Sequence, residues 1–310
     1  MTAVSSPASS SAAPPAACAL IVIATDFSPH ARHAAERAAG LAREVGARVS
    51  LMHVLPGPAL AQLRGWLGSE TALERGLKDD AGRSLHEQAA QLHAATGAEV
   101  EPLLAEGSVL EAVLREAEAR DARLLIVGLR GAGFMRRAAL GTTAERLMRR
   151  TTRPVLVVRQ APHEHYRRAM VALDFSPGSL ATLKLARWLA PKAMLTLTTV
   201  FELPYEGRLR MAGVGDESIA GYRERCRAEA TQRLHELAAQ AGLRPGDWQP
   251  CVVEGDASFK LVEMEQMLDC DLVAVGKHGS SMLTDLLLGS VTQHVLAEGQ
   301  ADVLVSAQRD

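Results

Sequence analysis

The 310 residues are enough for two domains of ordinary size, each burying its own core. A composition that is 47% hydrophobic and 23% charged is that of a soluble globular protein, and a formal net charge of −2 leaves no basic footprint of the kind nucleic-acid binding requires. The four cysteines (Cys18, Cys226, Cys251 and Cys270) form no close pair, which argues against a disulfide framework or zinc site and for small buried hydrophobes in a reducing compartment.

Met1 to Ala16 is a Ser, Ala and Pro stretch without a positive charge, expected to be a disordered tail. The apolar run from Ala17 leads straight into Asp26 and reads as a first strand over Ala19 to Ala24, not as a signal peptide. No segment reaches the eighteen or so apolar residues of a membrane span, so the expected location is cytoplasmic. Ser28 then Pro29 is an N-cap followed by proline at the first helical position, and Ala34, Ala35, Ala38, Leu41, Ala42 and Val45 follow at helical spacing up to Gly46. A strand at Val49 to Val54 follows. A long amphipathic helix then carries Leu73, Leu77, Ala81, Leu85, Ala89 and Leu92 on one face. Next come a strand at Val100 to Leu104, a helix at Val109 to Ala119, a strand at Leu124 to Val127, a helix from about Thr142 to Arg150, and a last strand at Val155 to Val158.

The same order then recurs. Asp26-Phe27-Ser28-Pro29 returns as Asp174-Phe175-Ser176-Pro177, 148 positions later. Gly107, Gly128, Gly131 and Gly141 return at the same offset as Gly255, Gly276, Gly279 and Gly289, and Thr142 as Ser290. One G-x2-G-x9-G-[ST] match is weak; a second at a preset offset makes the chain a tandem duplication. The second copy predicts a strand at Ala169 to Leu173, a helix at Pro177 to Ala190 and a strand at Leu195 to Phe201. It continues with a long helix bearing Ile219, Tyr222, Cys226, Ala230, Leu234 and Leu237, and with strands at Pro250 to Val253, Leu272 to Val275 and Val303 to Ser306. Apolar strands alternating with helices predict two tandem α/β domains, each an open doubly wound five-stranded parallel sheet with helices on both faces. The expected divisions are a tail at 1–16, a first domain at 17–159, a linker at 160–166 and a second domain at 167–308.

In such sheets ligands lie beyond the carboxyl ends of the strands where the strand order reverses. Asp26 and Asp174 fall just past the first strand of each copy, and Gly128 and Gly276 just past the fourth. Gly141-Thr142 and Gly289-Ser290 open helices whose first N–H groups and positive dipole suit a phosphate, with the Thr142 and Ser290 hydroxyls able both to donate to it and to cap the helix. Arg130, Arg136 and Arg137 in the first loop, and Lys277 and His278 in the second, are candidate phosphate-neutralising groups, with solubility the competing reading. Turn and cap duty is the competing reading for each glycine taken singly. The linker histidines around Glu164 read better as solvated than as metal ligands. There is no G-x-G-x-x-G, no G-x-x-x-x-G-K-[ST] and no G-x-S-x-G, which argues against a Rossmann dinucleotide site, a P-loop and a hydrolase elbow.

Val275-Gly276-Lys277-His278-Gly279 followed by Leu288-Gly289-Ser290-Val291-Thr292 resembles the universal stress proteins of the ATP-binding kind, as do Val127-Gly128-Leu129-Arg130-Gly131 and Leu140-Gly141-Thr142. The resemblance spans roughly residues 17 to 308. It implies that the glycine loop wraps ribose and phosphates and that the aspartate meets the adenine. The implied ligand-binding set is Thr25, Asp26, Val54, Gly128, Arg130, Gly131, Gly141, Thr142 and Thr143 in the first copy. In the second it is Asp174, Val200, Gly276, His278, Gly279, Gly289, Ser290 and Val291. The cofactor implied is ATP, with Mg as a companion ion. Family members pair through the last strand of each domain, so the two copies are expected to pair internally, with a homodimer as a further option. Two departures stand out: Thr143 replaces the family-typical valine seen at Val291, and Asp302 precedes the last strand where the first copy has Pro154. The expected function is an ATP-binding stress-response regulator or sensor with at most weak hydrolysis. The alternatives are a slow metal-dependent ATPase using Asp26 or Asp174, and an adaptor that binds no nucleotide.

Overall fold

The computed structural model describes residues 18–57, 72–129, 141–162, 164–203, 206–277 and 288–307. The first copy runs β1 (Leu20–Ala24), α1 (Pro29–Val45), β2 (Arg48–Pro56), α2 (Ala72–Thr96), β3 (Val100–Gly107), α3 (Val109–Ala119), β4 (Leu124–Gly128), α4 (Thr142–Arg150) and β5 (Val155–Val158). The second runs β6 (Arg168–Ala172), α5 (Ser179–Leu189), β7 (Met194–Phe201), α6 (Glu206–Met211), α7 (Asp216–Gln240), β8 (Trp248–Glu254), α8 (Ala257–Met267), β9 (Leu272–Gly276), α9 (Ser290–Glu298) and β10 (Asp302–Ser306).

Strands β1, β4 and β9 are unbroken apolar runs because helices cover both faces of the sheet, leaving no polar side to alternate with. The sequence signals of α1 hold in detail. The Ser28 side chain accepts from the Ala31 N–H, Pro29 occupies the first turn, and Gly46 closes the helix in the left-handed region at φ 67°. Each copy is parallel, in the order β3-β2-β1-β4-β5, and the order reverses between β1 and β4 as it does between β6 and β9.

The two five-stranded sheets join as one ten-stranded sheet through β5 and β10, the antiparallel pair at its centre. Leu156 lies opposite Leu304, its own repeat equivalent, so the joint is close to two-fold symmetric. The internal pairing expected of the tandem is therefore present. Helices α1, α2, α5 and α7 share one apolar core, and α3, α4, α8 and α9 the other; both cores run through β5 and β10 from copy to copy.

Asp302 does not disturb this joint. It is fully buried and accepts four hydrogen bonds: from Arg37 Nε (3.2 Å) and Tyr166 Oη (2.7 Å) on Oδ2, and from the N–H groups of Arg159 (2.7 Å) and Gln160 (3.2 Å) on Oδ1. Arg37 belongs to the first copy, so one carboxylate of the second copy ties helix α1 and both ends of the connecting segment together. Burial, the neighbouring Asp302 charge and the hydrogen bond to it keep the Tyr166 phenol protonated well above its usual range. Arg123 stacked over Trp188 of α5 at 4.4 Å adds a second cross-copy contact.

Several expectations shift. The helix expected over Pro177 to Ala190 spans only Ser179–Leu189, because Gly178 takes the N-cap and Ser176 to Gly178 turn outside it. The repeat offset is also not uniform. Arg48 and Met194 start equivalent strands, so the second copy is shorter by two residues before β7 and regains them before β8. Leu85, Ala89 and Leu92 of α2 are buried as expected, but Leu73 and Leu77 are exposed. Of the cysteines, which are all free, Cys270 is buried while Cys18 is exposed. Among the described residues no helix is long and apolar enough to cross a membrane.

Candidate functional site

At the carboxyl ends of β6, β7, β9 and β10 the second copy opens a cavity of about 200 Å³, at the point where its strand order reverses. The polar end is made by α9. Its N-cap, Gly289, donates to the Lys277 carbonyl (3.0 Å), Thr292 Oγ1 donates to the Gly276 carbonyl (2.7 Å), and Gln293 Nε2 donates to the Leu288 carbonyl (2.7 Å). These bonds seat the helix start over the end of β9. Gln293 is the first residue whose N–H reaches back along the helix, to Gly289. The N–H groups of Ser290, Val291 and Thr292 thus have no intrahelical carbonyl, and all three residues line the cavity beside Gly276 and Gly289.

The other end is walled by Ala172, Leu173, Thr198, Val200, Ala257 and Leu261. Asp174 stands at the mouth. Its Oδ1 accepts from the Ser176 N–H (3.0 Å) and from Ser179 Oγ (3.0 Å), which fixes Phe175 in the left-handed region at φ 60°. Burial pushes the thiol of Cys251 up, opposed by its hydrogen bond with Thr198.

Of the residues expected in this copy, Asp174, Val200, Gly276, Gly289, Ser290 and Val291 come together around the cavity. His278 and Gly279 lie outside the described residues, as do Arg130, Gly131, Arg136 and Arg137 in the first copy. One expectation is corrected. The Thr142 and Ser290 hydroxyls do not cap their helices: the N-caps are Gly141 and Gly289, neither helix has a side-chain cap, and the hydroxyls sit exposed at the first helical position. Lys277 is among the residues lining the cavity, but its ammonium is engaged across the joint. Its ammonium is buried against α4 of the first copy and donates to the carbonyls of Arg149 (3.1 Å) and Thr151 (3.0 Å), at the negative end of that helix.

In the first copy, Asp26 Oδ1 accepts from the Ser28 N–H (3.0 Å) and Phe27 is left-handed at φ 61°. Thr25 is buried and accepts from the Phe27 N–H (3.1 Å). Val54 belongs to the apolar core beneath α3, and Gly141 donates to the Leu129 carbonyl (2.8 Å). Thr142 and Thr143 are exposed on the first turn of α4. Sequence reasoning missed Ser179, Thr182, Thr198 and Ser306. Thr198 had a signal: it precedes Val200 by two on the same face of one strand. Ser306 had another, as the last residue of the strand beside Gly276.

These features define a class, the doubly wound α/β tandem with a cavity at its switch point. The profile of the universal stress protein family matches residues 20–159 and again residues 165–306, and the chain belongs to that family. A universal stress protein of Mycolicibacterium smegmatis is 27% identical over 311 residues, covering 93% of this chain and 97% of that one. One from Thermus aquaticus is 34% identical over 140 residues, which is 45% of this chain and 97% of its own length, as expected of a single-copy relative. Among solved structures, a universal stress protein from Archaeoglobus fulgidus superposes with a TM-score of 0.66 at 16% identity, covering 92% of this chain and 97% of that one, and so shares the fold.

Proposed function

We propose that this chain is a stress-response regulator or sensor that binds an adenine nucleotide, ATP, at the carboxyl ends of its strands. The observation that carries the reading is the second-copy cavity, in which three helix-terminal N–H groups at one end face an apolar slot at the other. Phosphates match the first and a purine the second. Gly276 and Gly289 present backbone without side chains beside the phosphates, Val200 flanks the base, and Asp174 offers a carboxylate where a base amino group would reach. The first copy repeats the Asp26, Gly128, Gly141 and Thr142 positions of this set.

Calorimetric titration of the full chain with ATP, after stripping any nucleotide that purified with it, tests this. Saturable binding below millimolar concentration is expected. No heat and no protection from thermal unfolding at millimolar ATP would overturn the reading.

A further inference from the structure

The two copies share their glycines and aspartate but not the residues around them. Helix α1 begins at Pro29, whereas α5 begins at Ser179, two positions later in repeat register. In the first copy, that extra half-turn lies directly on the strand end: a Cβ added at Gly128 would sit 2.8 Å from the His30 carbonyl oxygen. In the second, His30 is replaced by Gly178, and Gly178 and Gly276 both face open cavity.

The base end differs as well. By strand register Thr198 of β7 corresponds to Met52 of β2, since each pairs with the last residue of its copy's first strand. Both are buried, but Thr198 borders the cavity, while Met52 packs within the apolar core shared with Val54 and Val113. Ala257 likewise faces the cavity where the first copy has the bulkier Val109, itself packed on that core. The bulkier Met52 and Val109 stand in the core at the positions where Thr198 and Ala257 border the cavity, and close-packed cores admit no ligand without displacing such groups.

We propose that the chain carries one nucleotide, in the second copy, and that Gly178, Thr198 and Ala257 against His30, Met52 and Val109 decide which copy binds. The inference rests on the nucleotide reading above. The motif survives in the first copy because the fold uses it there. Gly128 admits the first turn of α1, Asp26 fixes the turn before α1, and α4 supplies the carbonyls that hold Lys277.

Native mass spectrometry with ATP counts the sites, and one nucleotide per chain is expected. Thr198→Met, which installs the first copy's residue at a buried position, should weaken that binding about ten- to a hundredfold, with a cooperative thermal transition of the nucleotide-free variant showing that it is folded. Should that variant fail to fold, Ala257→Val adds bulk at the same end and should act in the same direction. Two nucleotides per chain, or a single one indifferent to both substitutions, would overturn the one-site inference and leave nucleotide binding standing. No nucleotide at all would end both.

Discussion

The carboxyl ends of α4 and α9 face the same electrostatic problem and are served by opposite copies. The end of α4, in the first copy, takes Lys277 from the second through the carbonyls of Arg149 and Thr151. The end of α9, in the second copy, takes Arg159 from the segment that follows β5, through the carbonyls of Gly299 (2.7 Å), Val295 (3.4 Å) and Leu296. The residues in repeat register with these clamps are Leu129 and Ala307, neither of them basic. A near-symmetric strand joint is thus held by side chains that obey no symmetry. Once two subunits are fused, each half of the joint is free to evolve its own solution, and the copies cease to be interchangeable.

The largest test of that asymmetry lies at Asp302. Asp302→Ala takes an acceptor from Arg37 Nε and from the buried Tyr166 hydroxyl, and from the part-buried N–H groups of Arg159 and Gln160, while Arg37 keeps its bond to the Glu164 carbonyl. It should cost about 3–5 kcal/mol of stability, the range for stripping one partner from a buried charge pair. Pro154→Ala, at the equivalent position of the first copy, should cost about 1 kcal/mol or less, chiefly through the unfolded chain. Urea denaturation of both variants checks the pair. Similar losses would mean that the joint is symmetric after all.

A smaller effect is expected at the helix clamp. Lys277→Met keeps most of the aliphatic stem but removes both hydrogen bonds to the end of α4, for a loss of about 2 kcal/mol. The comparison sharpens if Arg159→Met gives a loss of similar size and the two losses add in the double variant, since each residue serves a different helix end. Strong non-additivity would show that the two clamps act as one element.

How much of this was legible follows from the range of the interactions involved. The strands β1, β4, β5 and β9 and the capped helix α1, with the glycines that end β4 and β9 and cap α4 and α9, are local signals, and they appear where the residues placed them. Local logic failed where a partner distant in sequence decided the outcome. Nothing near Lys277 says that its ammonium donates to carbonyls 126 and 128 positions away. Asp302 likewise looked like a break in the pattern, because the groups it satisfies come from Arg37 and from a connecting segment that reads as merely polar. The shortened α5 was partly legible, since Gly178 is a poor interior helix residue and a natural place to start one. That the retreat opens a cavity became visible only when Gly276 was seen beside it.

The mildest difference between the copies is a single buried atom, and it makes the most selective measurement. Cys270 takes the place of Ala122, and both sit in the same apolar core. Burial, reinforced by the charges of Glu265 and Asp271, pushes its thiol up to about 12. The thiolate is the reactive form, so at pH 8 roughly one molecule in ten thousand presents it, and the folded core shields even that fraction. Cys18 is exposed. A thiol reagent at pH 8 should therefore modify Cys18 quickly and leave Cys270 silent until denaturant is added, as peptide mapping by mass spectrometry would show. Replacing the thiol by the first copy's residue, Cys270→Ala, should cost no more than about 1 kcal/mol, because only one heavy atom leaves the core. Fast labelling of Cys270 in the native protein would instead mean that the β9 side of the second copy opens locally while the rest stays folded.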